Sequence, residues 1–260
     1  MILRSMYWYV ILHLPARRMM QIVSKLSGQR ALDVADAVLT VFRDDEPAMV
    51  VKLYALYGLD RFDDALAFSA RALTQHPDNS ALHGVRANVL LHFGQTDEAL
   101  VEYNSVLALH PHQPAALMHK GNLLADKGHI DIALQCYEDV VQNDQSTPDD
   151  VFFAYVAKGS LLVAANRIAD VEELCAELAS QYDSAPSVLS MVGALYCQIG
   201  QVARARAYYE DALEHAISNS AMAARIRAII SEIVETDTPM ASVPTENATD
   251  CRNGGTAQID

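Results

Sequence analysis

Two neighbouring stretches of this chain are versions of each other. Residues 80–111 read SALHGVRANVLLHFGQTDEALVEYNSVLALHP, and residues 114–144 read PAALMHKGNLLADKGHIDIALQCYEDVVQND. Laid over one another at an offset of 34, they align Ala87 with Gly121, Asn88 with Asn122, Leu90 with Leu124 and Gly94 with Gly128. Ala99, Leu100 and Tyr103 then align with Ala133, Leu134 and Tyr137. A unit of this length cannot enclose a core of its own, so it must bury its apolar face against copies of itself. That requirement excludes most single-core folds.

The repeat extends in both directions. Contiguous blocks cover 46–79, 80–113, 114–147, 152–185 and 186–219, with Pro148–Val151 as the one insert that breaks phase. In four of the five blocks a small residue recurs in the first half (Ala87, Gly121, Gly159, Gly193; the first block has Leu53 there), and in four another recurs in the second (Ala65, Ala99, Ala133, Ala205). Both sit where a large side chain would hold two helices apart. Gly94, Gly128 and Gly200 suit a left-handed helix end, and Pro77 and Pro111 stop the second helix. The fourth block is the most drifted, with Asn166 at the glycine position and Val171 at the small one.

These blocks resemble the tetratricopeptide repeat, whose pattern runs W-x₂-L-G-x₂-Y, then A-x₃-F, then P. The fifth block carries the pattern well in Leu189, Val192-Gly193, Tyr196, Gly200, Ala205, Tyr209 and Ala212. The resemblance implies an all-α fold, a right-handed superhelical solenoid of antiparallel helix pairs. Ahead of the array, residues 16–45 have helical periodicity in two runs broken at Ser27-Gly28 and read as a degenerate helical hairpin. Behind it, 220–235 forms an amphipathic stripe of Met222, Ile226, Ile229, Ile230 and Ile233 suited to cap the last repeat. Residues 236–260 are polar and aperiodic and are expected to be disordered.

Composition narrows the partners. Half of the residues (51%) are hydrophobic, enough for a continuous core, while the net charge of −14 argues against nucleic acid and anionic membrane. Cys136, Cys175, Cys197 and Cys251 form no C-x-x-C pair and read as reduced thiols of a cytoplasmic protein. Residues 1–15 contain the apolar run Met6–Leu14, nine residues against the about 20 that span a bilayer. It is expected to be a poorly ordered or targeting segment, with Met19 or Met20 as a possible true start and export or peripheral membrane attachment as the alternative.

In the tetratricopeptide family the first helices of successive repeats line a concave face that holds an extended peptide or a partner helix. Carried over by position, the resemblance implies a lining that includes Tyr54, Tyr57, Asn88, Leu91, Met118, His119, Asn122 and Phe153, with Val51, Val85, His92, Asp126, Val156 and Met191 beside them. Asn88 and Asn122 correspond to asparagines that hydrogen-bond ligand backbone. One subclass clamps the carboxyl-terminal tail of heat-shock chaperones with lysine, asparagine and arginine. Here Gly84, His119, Phe153 and Ala157 stand where the cations belong, so two carboxylates have nothing to replace their hydration. A ladder of Lys52, Arg86, Lys120 and Lys158 does recur in register. Long stems packing beside helices with their charged heads in water account for it.

No phosphate loop, metalloprotease motif, nucleophile elbow or paired-carboxylate pattern occurs. His110-Pro111-His112 echoes His76-Pro77 one block earlier and reads as repeat punctuation rather than a metal site. The expectation is a non-catalytic interaction module with a protein or peptide partner, no cofactor, no metal and no small-molecule substrate. A structural subunit of an envelope or secretion assembly, tethered by Met6–Leu14, is the alternative.

Overall fold

The computed structural model describes residues 28–216 and 220–237. Met6–Leu14, the first half of the expected amino-terminal hairpin and the tail beyond 237 lie outside the described residues. Those residues form twelve helices and no strand. They are α1 (Gly28–Val41), α2 (Glu46–Gly58), α3 (Phe62–Gln75), α4 (Ser80–His92), α5 (Thr96–Leu109) and α6 (Pro114–Asp126). There follow α7 (Ile130–Val141), α8 (Pro148–Ala164), α9 (Ile168–Gln181), α10 (Pro186–Gln198), α11 (Val202–His215) and α12 (Ser220–Asp237). The helices fall into two compact units, divided between Arg167 and Ile168. The division lies inside the most drifted block.

In the first unit, α4 packs on α5 and α6 on α7, and each second helix also meets the next first helix. Its core runs from Leu32, Ala35 and Val38 through Leu53 and Leu82 to Tyr103 and Val106, and on to Tyr137, Val140 and Ala154. In the second unit α10 packs on α9 and α11, and α12 packs on α11. Ile226 and Ile233 of α12 are buried with Leu189, Tyr209 and Ala212. The helix runs to Asp237, so the expected start of the tail at 236 falls within its last turn.

Local chemistry fixes the helix ends. The Asp45 and Asn79 side chains accept from the backbone N–H groups of Ala48 and Leu82, capping α2 and α4. Thr147 and Asp150 form a reciprocal capping box at the start of α8. The insert Pro148–Val151 is therefore the extra first turn of a 17-residue helix, not a linker.

Every turn inside a repeat closes in the same way. The amide three residues past the helix bonds back five residues: Arg61 to Leu56, Gln95 to Leu90, His129 to Leu124, Arg167 to Leu162 and Gln201 to Tyr196, each at 2.8–2.9 Å. The residue just before each of these donors takes a positive φ. It is glycine at 94, 128 and 200, but Asp60 (57°) and Asn166 (54°) in the other two.

The small positions are explained by direct contact. A Cβ added to Gly121 would stand 2.6 Å from Cε1 of Tyr137, and one on Gly193 would stand 3.1 Å from the Tyr209 ring. In these two repeats the second-helix tyrosine sits against the backbone of the first helix where a Cβ would stand, and the repeat with Ala87 under Tyr103 keeps the position small. Gly84, by contrast, has no atom nearer than 4.0 Å to such a Cβ.

Candidate protein-binding face

The candidate face belongs to the first unit and is built on α2, α4, α6 and α8. Side chains one turn apart on these helices point the same way, which places Tyr54 with Tyr57, Asn88 with Leu91 and His92, and Asn122 with Asp126. Tyr54 is 42% exposed, Tyr57 37% and Phe153 60%. Aromatic and aliphatic groups of this size are usually buried, so their presentation to water is informative. Leu91 and Met118 are half-buried and pack on the core with one side. Val51, Val85 and Met191, expected in the lining, are instead buried in the core. A helix turns by about 100° per residue, so the neighbour of an exposed position points elsewhere.

The two asparagines are held. The Tyr103 hydroxyl donates to Asn88 Oδ1 at 2.5 Å, and the Tyr137 hydroxyl donates to Asn122 Oδ1 at 2.7 Å. Each bond joins residues 15 apart within one repeat, and the two bonds are one period apart. With Oδ1 occupied as acceptor, each carboxamide keeps its Nδ2 protons for an outside acceptor. Burial keeps the tyrosines protonated and donating: it raises the Tyr103 pKa well above its ordinary value and pushes Tyr137 up to about 12, with Cys136 and Asp126 adding to the latter. His119 stacks on Tyr103 at 5.0 Å and 13°, and burial lowers its pKa, so it is a neutral imidazole at pH 7.

Three of the four ladder cations are paired. Lys52 pairs with Asp36 at 2.6 Å, Arg86 with Glu102 at 3.1 Å and Lys158 with Glu138 at 2.7 Å. Burial alone would raise the Glu138 carboxyl, but the Lys158 bond and charge outweigh it and hold the pKa below its ordinary value. These three rungs of the basic ladder are thus tied into carboxylates of neighbouring helices. The orienting role of Tyr103 and Tyr137, and the exposed Phe93 at the end of α4, were not singled out from the sequence. The recurrence of Asn and Tyr at a spacing of 15 was the available signal for the first.

Among the described residues no three metal-ligating side chains converge, and no helix is long and apolar enough to cross a membrane. His110, Pro111 and His112 line a shallow cleft of about 460 Å³ with Ser80, Leu109 and Gln145, at the junction of two repeats.

Stacked helix pairs with shared turn chemistry define a helical-repeat protein. Residues 51–114 match the family model of the tetratricopeptide repeat. A search of curated proteins finds no match. Among solved structures, the chain is similar to a tetratricopeptide repeat protein from Parabacteroides merdae, at 16% identity and a TM-score of 0.55, over 83% of this chain and 96% of that one. It is also similar to MamA from residue 41 onward of Desulfovibrio magneticus, at 16% identity and a TM-score of 0.55, over 67% and 92%. A third is YrrB, described as a tetratricopeptide-repeat protein with an unusual peptide-binding site, at 14% identity and a TM-score of 0.54, over 76% and 99%.

Proposed function

We propose that this protein is a non-catalytic interaction module, a scaffold or adaptor, whose first-helix face on α2, α4, α6 and α8 holds an extended or helical segment of a protein partner. The observation that carries the reading is the pair of tyrosine-anchored asparagines among exposed aromatic side chains. Asn88 and Asn122 each offer N–H donors, while Tyr54, Tyr57 and Phe153 supply apolar area. Donors fixed in advance lose little conformational freedom on binding, and buried apolar area supplies most of the favourable free energy.

The test is affinity capture with mass spectrometry on the wild type and on a Tyr54→Ala, Asn122→Ala variant. Both side chains are exposed, so the variant should fold with an unchanged circular dichroism spectrum. The partners recovered by the wild type should fall to background with the variant. Recovery of the same partners in the same amounts would place binding elsewhere on the molecule.

A further inference from the structure

We propose, resting on the interaction reading above, that the partner segment is a cationic amphipathic one, and that it docks at the carboxyl ends of α2, α4 and α6. A chain of ring contacts runs across two repeats there. Tyr57 meets Phe62 edge-on at 5.7 Å, Phe62 stacks on His92 at 3.6 Å, and His92 meets Phe93 edge-on at 5.4 Å. The outer members stay open to water, Tyr57 at 37% and Phe93 at 41%. This patch continues the face that carries Tyr54, Asn88 and Asn122.

Its rim is acidic. Residues 57–64, 92–98 and 126–131 contain seven exposed carboxylates. Three of them meet a cation: Asp64 pairs with Arg61, Asp97 with Lys127 and Asp131 with Arg167. Asp60, Asp63, Glu98 and Asp126 are left in excess of the cations. Those in the first turns of α3 and α5 are stabilised by the helix dipole, which lets the chain carry them close together. An aromatic surface ringed by carboxylates favours ammonium and guanidinium groups, which are attracted to ring faces as well as to the acids.

Charge also decides against other occupants. A second copy of this chain, at −14, would bring like charges together, and three of the four ladder cations that could receive an acidic peptide are taken up by Asp36, Glu102 and Glu138. A segment with one apolar face for Tyr57 and Phe93 and a row of lysines or arginines for the rim satisfies both parts of the surface.

The test is titration of the full-length protein with two labelled synthetic peptides, followed by fluorescence anisotropy. One is an amphipathic Leu/Lys helix of about 18 residues, and the other carries Glu in place of Lys. The Lys peptide should bind and the Glu peptide should not. Tyr57→Ala with Phe93→Ala should weaken the Lys peptide by about tenfold. Asp63→Asn with Asp126→Asn should weaken it by about threefold to tenfold and flatten its salt dependence. Asp183→Asn with Glu173→Gln, exposed acids of the second unit, should leave it unchanged. Equal loss from that control, or no binding of the Lys peptide, would overturn the proposal. Equal binding of both peptides through Tyr57 and Phe93 would overturn the cationic class while leaving the interaction face in place.

Discussion

The Tyr103 hydroxyl donates to Asn88 Oδ1 at 2.5 Å across one helix pair, and Tyr137 repeats the bond to Asn122 at 2.7 Å in the next. A core residue of the second helix therefore sets the direction of a surface residue on the first. Tyr103 and Tyr137 are themselves buried, so their rings belong to the fold and their hydroxyls to the face.

Removing only the hydroxyls separates these roles. Tyr103→Phe and Tyr137→Phe keep the rings in place and should each cost about 1 kcal/mol of stability, read from denaturant unfolding. Partner capture should fall in the double variant, because the Asn88 and Asn122 carboxamides are then free to turn. Undiminished capture would show that the orientation is immaterial.

The glycines differ sharply in what they tolerate. Gly121→Ala drives a methyl group to 2.6 Å from the Tyr137 ring and should destabilise the protein by about 1–3 kcal/mol. Gly84→Ala meets nothing within 4 Å but the edge of Val106 and lies inside α4. It should stabilise by about 0.5–1 kcal/mol through higher helix propensity. Thermal melts of the two variants check both signs.

At Asn166 the backbone holds φ at 54°. Asn166→Gly should therefore be neutral to stabilising, and Asn166→Ala should cost about 1 kcal/mol. A melt of the pair distinguishes this from a role for the amide side chain, which would make both variants destabilising.

Alkaline pH should weaken the fold in a defined window. Tyr137 titrates at about 12 in the folded chain against 10.0 for an ordinary tyrosine. Between those values the unfolded chain has lost the proton and the folded one retains it, so stability is intact below pH 10 and declines toward pH 12. Tyr103 shifts in the same direction. Unfolding midpoints followed from pH 9 to 12 should decline less steeply in Tyr137→Phe.

The sequence carried the architecture in its punctuation. Gly94, Gly128 and Gly200 fall at the left-handed turn positions anticipated for them, and Gly121 and Gly193 lie under the tyrosines that require them to be small. Even the drifted fourth block keeps its turn, because asparagine is among the residues that reach positive φ with least strain. Side-chain direction was harder to read. Val51 and Val85 fall in the lining by position alone, yet one residue of helical rotation puts them in the core. The bonds from Tyr103 and Tyr137 join residues on different helices, so their register showed in the sequence as a spacing, but their purpose did not. The insert at Pro148–Val151 was visible as a phase break, and only the capping box at Thr147 reveals it as a helical turn.

Whether partners are held by the first-helix face is tested most directly by site-specific photo-crosslinking. A photoreactive amino acid at Phe153 samples that face, and one at Val101, 63% exposed on the second helix α5, samples the other side of the first unit. Partner adducts are expected from position 153 and none above background from position 101. Adducts from 101 alone, or equal adducts from both, would contradict binding on the first-helix face.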